Sequence, residues 1–413
     1  MRRRKFLHYF AASSVLLAGT SVAGFRFWPD EGFWNPCLNA RLPDNLAKHE
    51  LMSQAWDGID PTAFRDVHTH LIGTGDSDKG IWLNPNMRSI WHPIQNIQFK
   101  FYLNGSCTVE GKEVDVNYVK RLYQLMQDFP TGAKAMLLAF EHHYTQAGKI
   151  NLDKSPLYTP NEYAASVSKQ HSDRFQWIAS IHPYREDAID ELKKAVSNGA
   201  KAIKWLPPAM NINPASEKCD AFYDEMLKLN IPLLTHAGDE HAVDAGELQK
   251  LGNPLLLRRP LERGVKVIVA HCATIGSNAD IDISGNGSEV ENYKLFDRLM
   301  NDKNYEENLF GDISAITQIN RSQEALEHII THDEWHHRLV YGSDYPLPGV
   351  MPVFSPRTMV DRGYFSGHVA DYISHVRLYN PLLFDFLLKR FINVQGKRLA
   401  NSVFEAAKII ESR

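Results

Sequence analysis

The chain has 413 residues and a net charge of −4, with 44% hydrophobic and 23% charged residues. That is ordinary globular composition, and it excludes disordered, collagenous and coiled-coil descriptions of the whole. The first 23 residues hold Arg2, Arg3, Arg4 and Lys5 but no acid, so removing these four bases from −4 leaves −8. Phosphate backbones and anionic membrane surfaces require clustered Lys and Arg, and an acidic body argues against nucleic acid as a partner.

The N-terminus reads as a targeting segment. A charged stretch, Arg2-Arg3-Arg4-Lys5, precedes a mildly apolar run over Tyr9–Phe25, and Ser21 and Ala23 have the spacing a signal peptidase reads. Arg3-Arg4-Lys5-Phe6-Leu7 is similar to a bacterial twin-arginine export signal. Residues 1–23 are therefore expected to be a twin-arginine-type signal, and the protein to be exported to a bacterial periplasm. The alternative is an uncleaved anchor, but the run is 17 residues, short of the roughly 20 that a bilayer needs. Once the leader is removed, no stable membrane span is expected. Residues 24–60 are rich in turn formers and are expected to be an extension on a body spanning 61–413. Of the four cysteines, Cys37 and Cys107 lie in loop-like segments and could pair in an oxidising compartment. Cys219 and Cys272 read as small buried apolar side chains.

From Phe64 onward, short apolar runs alternate with helical patterns. The runs are Phe64–Val67, Ala133–Phe140, Phe175–Ile181, Ala202–Leu206, Ile231–Thr235, Val265–Ala270, Leu309–Ile313 and Arg338–Tyr341. Amphipathic stretches such as Glu186–Ser197, Asp220–Leu229 and Glu291–Met300 lie between them. Continuous apolar strands alternating with helices predict a parallel sheet covered on its outer face. Eight such units predict an α/β fold of the (β/α)8 TIM-barrel type, with an open doubly wound sheet as the rival. No G-x-G-x-x-G or G-x-x-x-x-G-K supports a nucleotide-binding version of that rival. A long insertion, residues 72–132, follows the first strand; it is either a lid over the site or a subdomain with its own core. The polar segment Gly276–Asn292 reads as a loop, and Tyr379–Ile410 as a helical tail.

Chemistry gathers at the C-terminal ends of the strands, where barrels place their sites. In Asp66-Val67-His68-Thr69-His70 the two histidines are at i and i+2 of a strand and share a face, an arrangement that suits one divalent metal. His236 ends the fifth run, His271 the sixth and Asp344 the eighth, while Lys204 lies in the fourth. A buried Asp or Lys costs several kcal/mol unless paired or metal-bound, so a purely structural account of all six is strained. His182, Trp205 and the aromatic insertion are candidate pocket walls.

The stretches DVHTHL, GAKAIKWLPP, IPLLTHAG, VIVAHCA and LVYGSDYP, in this order, are similar to those of the amidohydrolase superfamily. The resemblance is closest to the branch that includes aminocarboxymuconate-semialdehyde decarboxylase-like enzymes. It implies that His68, His70 and His236 are metal ligands and that Asp344 is both ligand and general base. His271 would bind a second metal or polarise the attacked group. Lys204 would be carbamylated between two metals, or would bind a substrate carboxylate. The implied cofactor is a divalent ion, zinc or else manganese, one rather than two. The implied function is metal-dependent hydrolysis of a small amide, ester or lactone. Decarboxylation of a small unsaturated or aromatic carboxylate is the alternative. The partner is a small-molecule substrate, and a homo-oligomer is left open.

Overall fold

The computed structural model describes residues 32–243, 245–283 and 287–411. The expected leader, 1–23, lies outside them. The eight apolar runs each form a strand: β1 Arg65–His70, β2 Lys134–Leu138, β3 Phe175–Ile178, β4 Ile203–Trp205, β5 Leu233–His236, β6 Val267–Ala270, β7 Leu309–Asp312 and β8 Leu339–Val340. Regular pairing gives one parallel sheet of β1–β2–β3 and a second running β8–β7–β6–β5–β4.

Single bridges join these sheets at both edges. Ala179, just past β3, pairs with Ile203 of β4, and Thr69 of β1 pairs with Tyr345 beyond β8, both parallel. Hydrogen bonds from Val67 N to Tyr341 O at 3.0 Å and from Lys204 N to Ala179 O at 2.6 Å complete the circuit. The result is a closed parallel barrel in sequential strand order. Alternation then sorts the side chains. Val67, Met136, Ile178, Ala202, Leu234, Ile268, Phe310 and Val340 fill the interior, while Leu137, Ile203, Leu233, Val267 and Leu309 pack outward against the helices. Ala406 and Ile410 enter the interior cluster from below, and Arg65 Nε meets Glu411 Oε1 at 2.6 Å on that floor.

The insertion contains helices Pro93–Gly105 and Val114–Met126. Its buried residues Phe99, Leu103, Tyr118, Leu122 and Leu125 belong to the same cluster as the outer barrel wall, so it has no separate core. Helix Pro93–Gly105 reaches the loop after β5, where Tyr102 Oη donates to Ala242 O at 2.6 Å and Gln98 Nε2 to His241 O at 2.8 Å. At its C-terminal end Gly105 meets Gly349, where a Cβ on Gly349 would fall 2.0 Å from Gly105 O. The extension straps the same helix: Cys37 and Cys107 are disulfide-bonded, Asn35 N donates to Asn104 Oδ1 at 2.8 Å, and Trp34 stacks on Phe101.

Two segments differ from expectation. Gly276–Asn292 contains a short antiparallel pair, Ser277–Ala279 with Glu289–Glu291. In the tail, Pro381–Phe391 is helical as expected, with Asn380 capping Leu382 N and Leu383 N at 3.1 Å. Beyond it, only a 3₁₀ turn at Asn401–Phe404 and a short helix at Ala407–Ile410 form. Their backbone is used elsewhere: Tyr341 N donates to Val403 O at 2.8 Å and Ala407 N to Ala63 O at 3.1 Å, so this segment follows the barrel floor. Among the described residues no helix is long and apolar enough to cross a membrane.

Candidate metal centre

The side chains at the barrel mouth come from the ends of five strands. On β1 the register slips between Asp66 and Thr69, so that Val67 and His68 both lie across from Met136 of β2. A bulge of this kind re-aims a side chain. Here it lets Val67 fill the interior while His68, one residue on, still faces inward with His70. Asp66 is left on the other side, where its Oδ1 accepts Ser343 N at 2.8 Å and His68 N at 3.1 Å.

His68, His70 and Asp344 bring ligand atoms within 4.8 Å of one another, as do His68, His271 and Asp312. His70 Nε2 is 3.1 Å from Asp344 Oδ1, His68 Nε2 is 3.5 Å from the same oxygen, and His271 Nε2 is 3.9 Å from Asp344 Oδ2. Lys204 Nζ lies 3.3 Å from His68 Nε2. His236 stands farther back. Its ring centroid is 5.5 Å from that of His271, its Nδ1 is 3.6 Å from Glu240 Oε2, and its buried Nε2 makes no hydrogen bond among the described residues.

The backbone is strained at two of these strand ends. Asp344 has φ 61°, and His271, Cys272 and Ala273 have φ 57°, 46° and 51°. Left-handed non-glycine residues cost about 1 kcal/mol or more each, and they cluster at the turns that carry the candidate ligands His271 and Asp344.

Burial sets the protonation of the centre. It lowers His68 to about 4, with help from the charge of Lys204, and it holds His271 well below and His236 below the usual histidine value. All three rings are thus neutral near pH 7, as a metal requires. For Asp344 burial works upward, but His271, His68 and His70 outweigh it and keep the carboxyl well below the usual carboxylate range. Burial brings Lys204 down to about 8. Neutral imidazoles, an ionised carboxylate and an unpartnered buried nitrogen at His236 form a donor set that fits a divalent ion of the zinc or manganese type.

The pocket-wall candidates on β3 and β4 fall elsewhere. Trp205 alternates with Lys204 and therefore points outward, packed between Phe222 and Tyr223 with its Nε1 donating to Ile181 O at 2.9 Å. His182 is fully buried and already satisfied, with Nε2 on Met210 O at 2.9 Å and Nδ1 accepting Tyr184 N at 3.1 Å.

Four further residues face the centre and were not singled out in the sequence. Asp312 Oδ2 is 2.6 Å from His68 Nδ1, and Ser314 Oγ is 2.8 Å from His271 Nδ1. Asp312 lies near the end of the seventh apolar run and Ser314 just beyond it, at the same edge as the other candidate ligands. Glu240 holds the turn after β5 by accepting Ala242 N at 2.6 Å and Val243 N at 3.0 Å. Arg321 donates from Nη1 to Thr274 Oγ1 at 3.1 Å. Its guanidinium is desolvated and lowered to about 10, with Asp344, Glu240 and Asp312 close enough to push it back up. It therefore stays charged. Neither Glu240 nor Arg321 lies in a periodic segment, and no spacing rule points to them.

A family model described as amidohydrolase matches residues 66–352. The chain belongs to the amidohydrolase family. Among solved structures, this amidohydrolase is similar to an uncharacterised TIM-barrel protein from Bordetella bronchiseptica, at 15% identity and a TM-score of 0.46 over 78% of this chain and 99% of that one. It is also similar to 5-carboxyvanillate decarboxylase from Sphingomonas paucimobilis, at 12% identity and a TM-score of 0.44 over 85% and 99% of the two chains. A third is 4-oxalomesaconate hydratase from Rhodopseudomonas palustris, at 15% identity and a TM-score of 0.39 over 78% and 97%. No curated protein matches.

Proposed function

We propose that this amidohydrolase is a metal-dependent hydrolase of a small carboxylated ester, lactone or amide. The observation that carries this reading is the convergence of His68, His70 and Asp344 within 4.8 Å at the mouth of the barrel, with His271 facing Asp344 from the other side. His68, His70, His236 and Asp344 would hold one divalent ion, zinc or else manganese. Such an ion supplies Lewis-acid charge and lowers the pKa of a coordinated water.

The chain's own residues do the rest. Asp344, held ionised, accepts the proton of the attacking water and returns it to the leaving group. His271 Nε2, on the far side of the Asp344 carboxylate, accepts a hydrogen bond from the attacking water and orients it. Arg321 is a fixed cation at the same mouth and anchors a substrate carboxylate through its planar fork. The insertion, through Tyr102 and Gln98, covers the loop that follows His236 and keeps bulk water out. Lys204 contributes positive charge beside His68.

The same anchored carboxylate also favours a second reading, a decarboxylase that protonates carbon and releases CO₂. Following CO₂ and hydrolysis product together, over a panel of carboxylated lactones, esters and unsaturated acids, separates the two. We further propose export to the periplasm, on the strength of the leader pattern and of the Cys37–Cys107 disulfide.

Metal per chain, by elemental analysis of protein purified without added metal, tests the central claim. One equivalent, lost in His68→Ala and His70→Ala together with turnover, supports the single-ion centre and leaves Lys204 to the substrate. Two equivalents move the assignment to a carbamylated Lys204 bridging a pair. A chain that takes up none after reconstitution with zinc or manganese overturns the reading.

A further inference from the structure

We infer that two residues at the end of β7, Asp312 and Ser314, fix the proton position of both His68 and His271, so that each ring carries its proton on Nδ1 and turns a bare Nε2 toward Asp344. The consequence for metal uptake rests on the reading of the centre given above; the proton positions themselves do not.

The two rings are determined independently. For His271, Nδ1 lies 3.1 Å from the carbonyl oxygen of Ser314. A carbonyl only accepts, so Nδ1 must carry the proton and Nε2 must be bare. For His68 two neighbours agree. Lys204 Nζ, 3.3 Å from Nε2, has donors and no acceptor, so Nε2 accepts. At the opposite nitrogen, the Asp312 carboxylate receives Nδ1–H at 2.6 Å.

The hydroxyl of Ser314 links the two rings. Its single proton goes to Asp312 Oδ2 at 2.8 Å, which leaves its lone pairs for His271 Nδ1 at 2.8 Å and His68 Nδ1 at 3.1 Å. Asp312 is fixed in turn, because its Oδ1 accepts the backbone N–H of Ser314 at 2.6 Å. With one carboxylate oxygen used by Ser314 N and the other by His68 and Ser314 Oγ, the carboxylate has no freedom to turn. The rings themselves stack, centroids 5.0 Å apart.

The neighbouring strand is shaped around this pair. A Cβ on Gly342, just past β8, would lie 2.7 Å from Asp312 Oδ1, 2.7 Å from His68 Cβ and 3.1 Å from Ser314 Cβ. These distances are shorter than packed atoms tolerate, so glycine is what allows Asp312, Ser314 and His68 to occupy one layer. Asp312 and Ser314 are thus positioning residues that act through the two histidines.

The test is histidine nitrogen NMR on the metal-free full-length chain labelled with 15N-histidine, with resonances assigned from their loss in His68→Gln and His271→Gln. The expected result is a protonated Nδ1 and a bare Nε2 at both positions. A protonated Nε2 on either ring in the folded wild type overturns the proposal. Asp312→Asn keeps the shape but offers one acceptor oxygen where two are needed. Lys204 still faces Nε2, so the His68 tautomer is expected to persist, but the ring loses its anchor and zinc affinity, read by chelator competition, is expected to fall roughly 10–100-fold. In Ser314→Ala the Ser314 carbonyl still receives His271, so both tautomers are expected to persist. Unchanged zinc affinity in Asp312→Asn overturns the relay. If that variant does not fold, the wild-type spectrum decides alone. A wild type that shows the expected tautomers yet binds no zinc supports the relay and overturns the metal reading instead.

Discussion

The hydroxyl of Tyr118 donates to the carbonyl oxygen of His70 at 2.6 Å. The insertion thereby grips the strand end that carries a proposed ligand, and the contact is partly buried, with the Tyr118 ring edge-on to Tyr345. Tyr118→Phe removes the donor and leaves a partly buried carbonyl without it. The expected cost is about 1 kcal/mol of stability, read as a lower denaturation midpoint in urea with an unchanged slope. A midpoint equal to that of the wild type would show that the contact contributes nothing.

Arg321 provides a test of substrate class. Arg321→Met is expected to lower kcat/KM for a carboxylated substrate roughly 100-fold, as the loss of a charge-assisted pair implies. A neutral analogue of the same skeleton should be turned over as before. Arg321→Lys, which keeps the charge but not the fork, should fall between. Equal losses on the charged and neutral substrates would remove Arg321 from the carboxylate site.

His182 sets a pH dependence away from the centre. Burial lowers its pKa from 6.5 to about 3, so the folded protein resists taking a proton that the unfolded chain accepts. Its contribution is fully present above pH 6.5 and is lost as the pH falls toward 3. His182→Gln can donate to Met210 O but cannot also accept Tyr184 N as the ring does. It is expected to be less stable than the wild type by roughly 1–3 kcal/mol at pH 7, with the gap closing between pH 6 and 4. A gap constant with pH, measured by urea unfolding at each value, would contradict this.

The Cys37–Cys107 disulfide spans 70 residues and ties the extension to the insertion. Removing it by Cys37→Ser with Cys107→Ser frees the unfolded chain and is expected to cost about 2–4 kcal/mol. Addition of a thiol reductant to the wild type should produce the same shift in the guanidinium midpoint, and should leave the double variant unmoved.

Much of this was legible in the sequence because it depends on short-range pattern. An apolar run followed by His236, His271 or Asp344 marks both a strand and the end at which chemistry sits, and the eight runs all became barrel strands. His68 and His70 share a face as the i, i+2 spacing predicts, although a bulge is needed to reconcile them with Val67. The limits are equally physical. Trp205 neighbours Lys204 in sequence, but strand alternation sends it into the outer core. His182 follows an apolar run yet satisfies both ring nitrogens with backbone. Asp312 and Ser314 sit at the same strand edge as the candidate ligands, but they act by bonding imidazole rings across the barrel mouth, a pairing that no local spacing reveals. Arg321 and Glu240 are placed by loops, for which no periodicity exists. Past Phe391 the tail keeps only a 3₁₀ turn and the short helix Ala407–Ile410, because Val403 O and Ala407 N bond to Tyr341 and Ala63, a long-range demand invisible to local propensity.

The barrel floor, where Arg65 meets Glu411, has a consequence for how the molecule comes into being. The first strand and the segment that seals it are more than three hundred positions apart, and His68 and Asp344 are separated by nearly as much. Contacts this distant in sequence close last and slowly. No N-terminal fragment emerging during synthesis can therefore assemble the proposed ligand set, because Asp344 follows His68, His70, His236 and His271 in the chain. The proposed centre is complete only once β8 has been made, long after His68 and His70 have emerged.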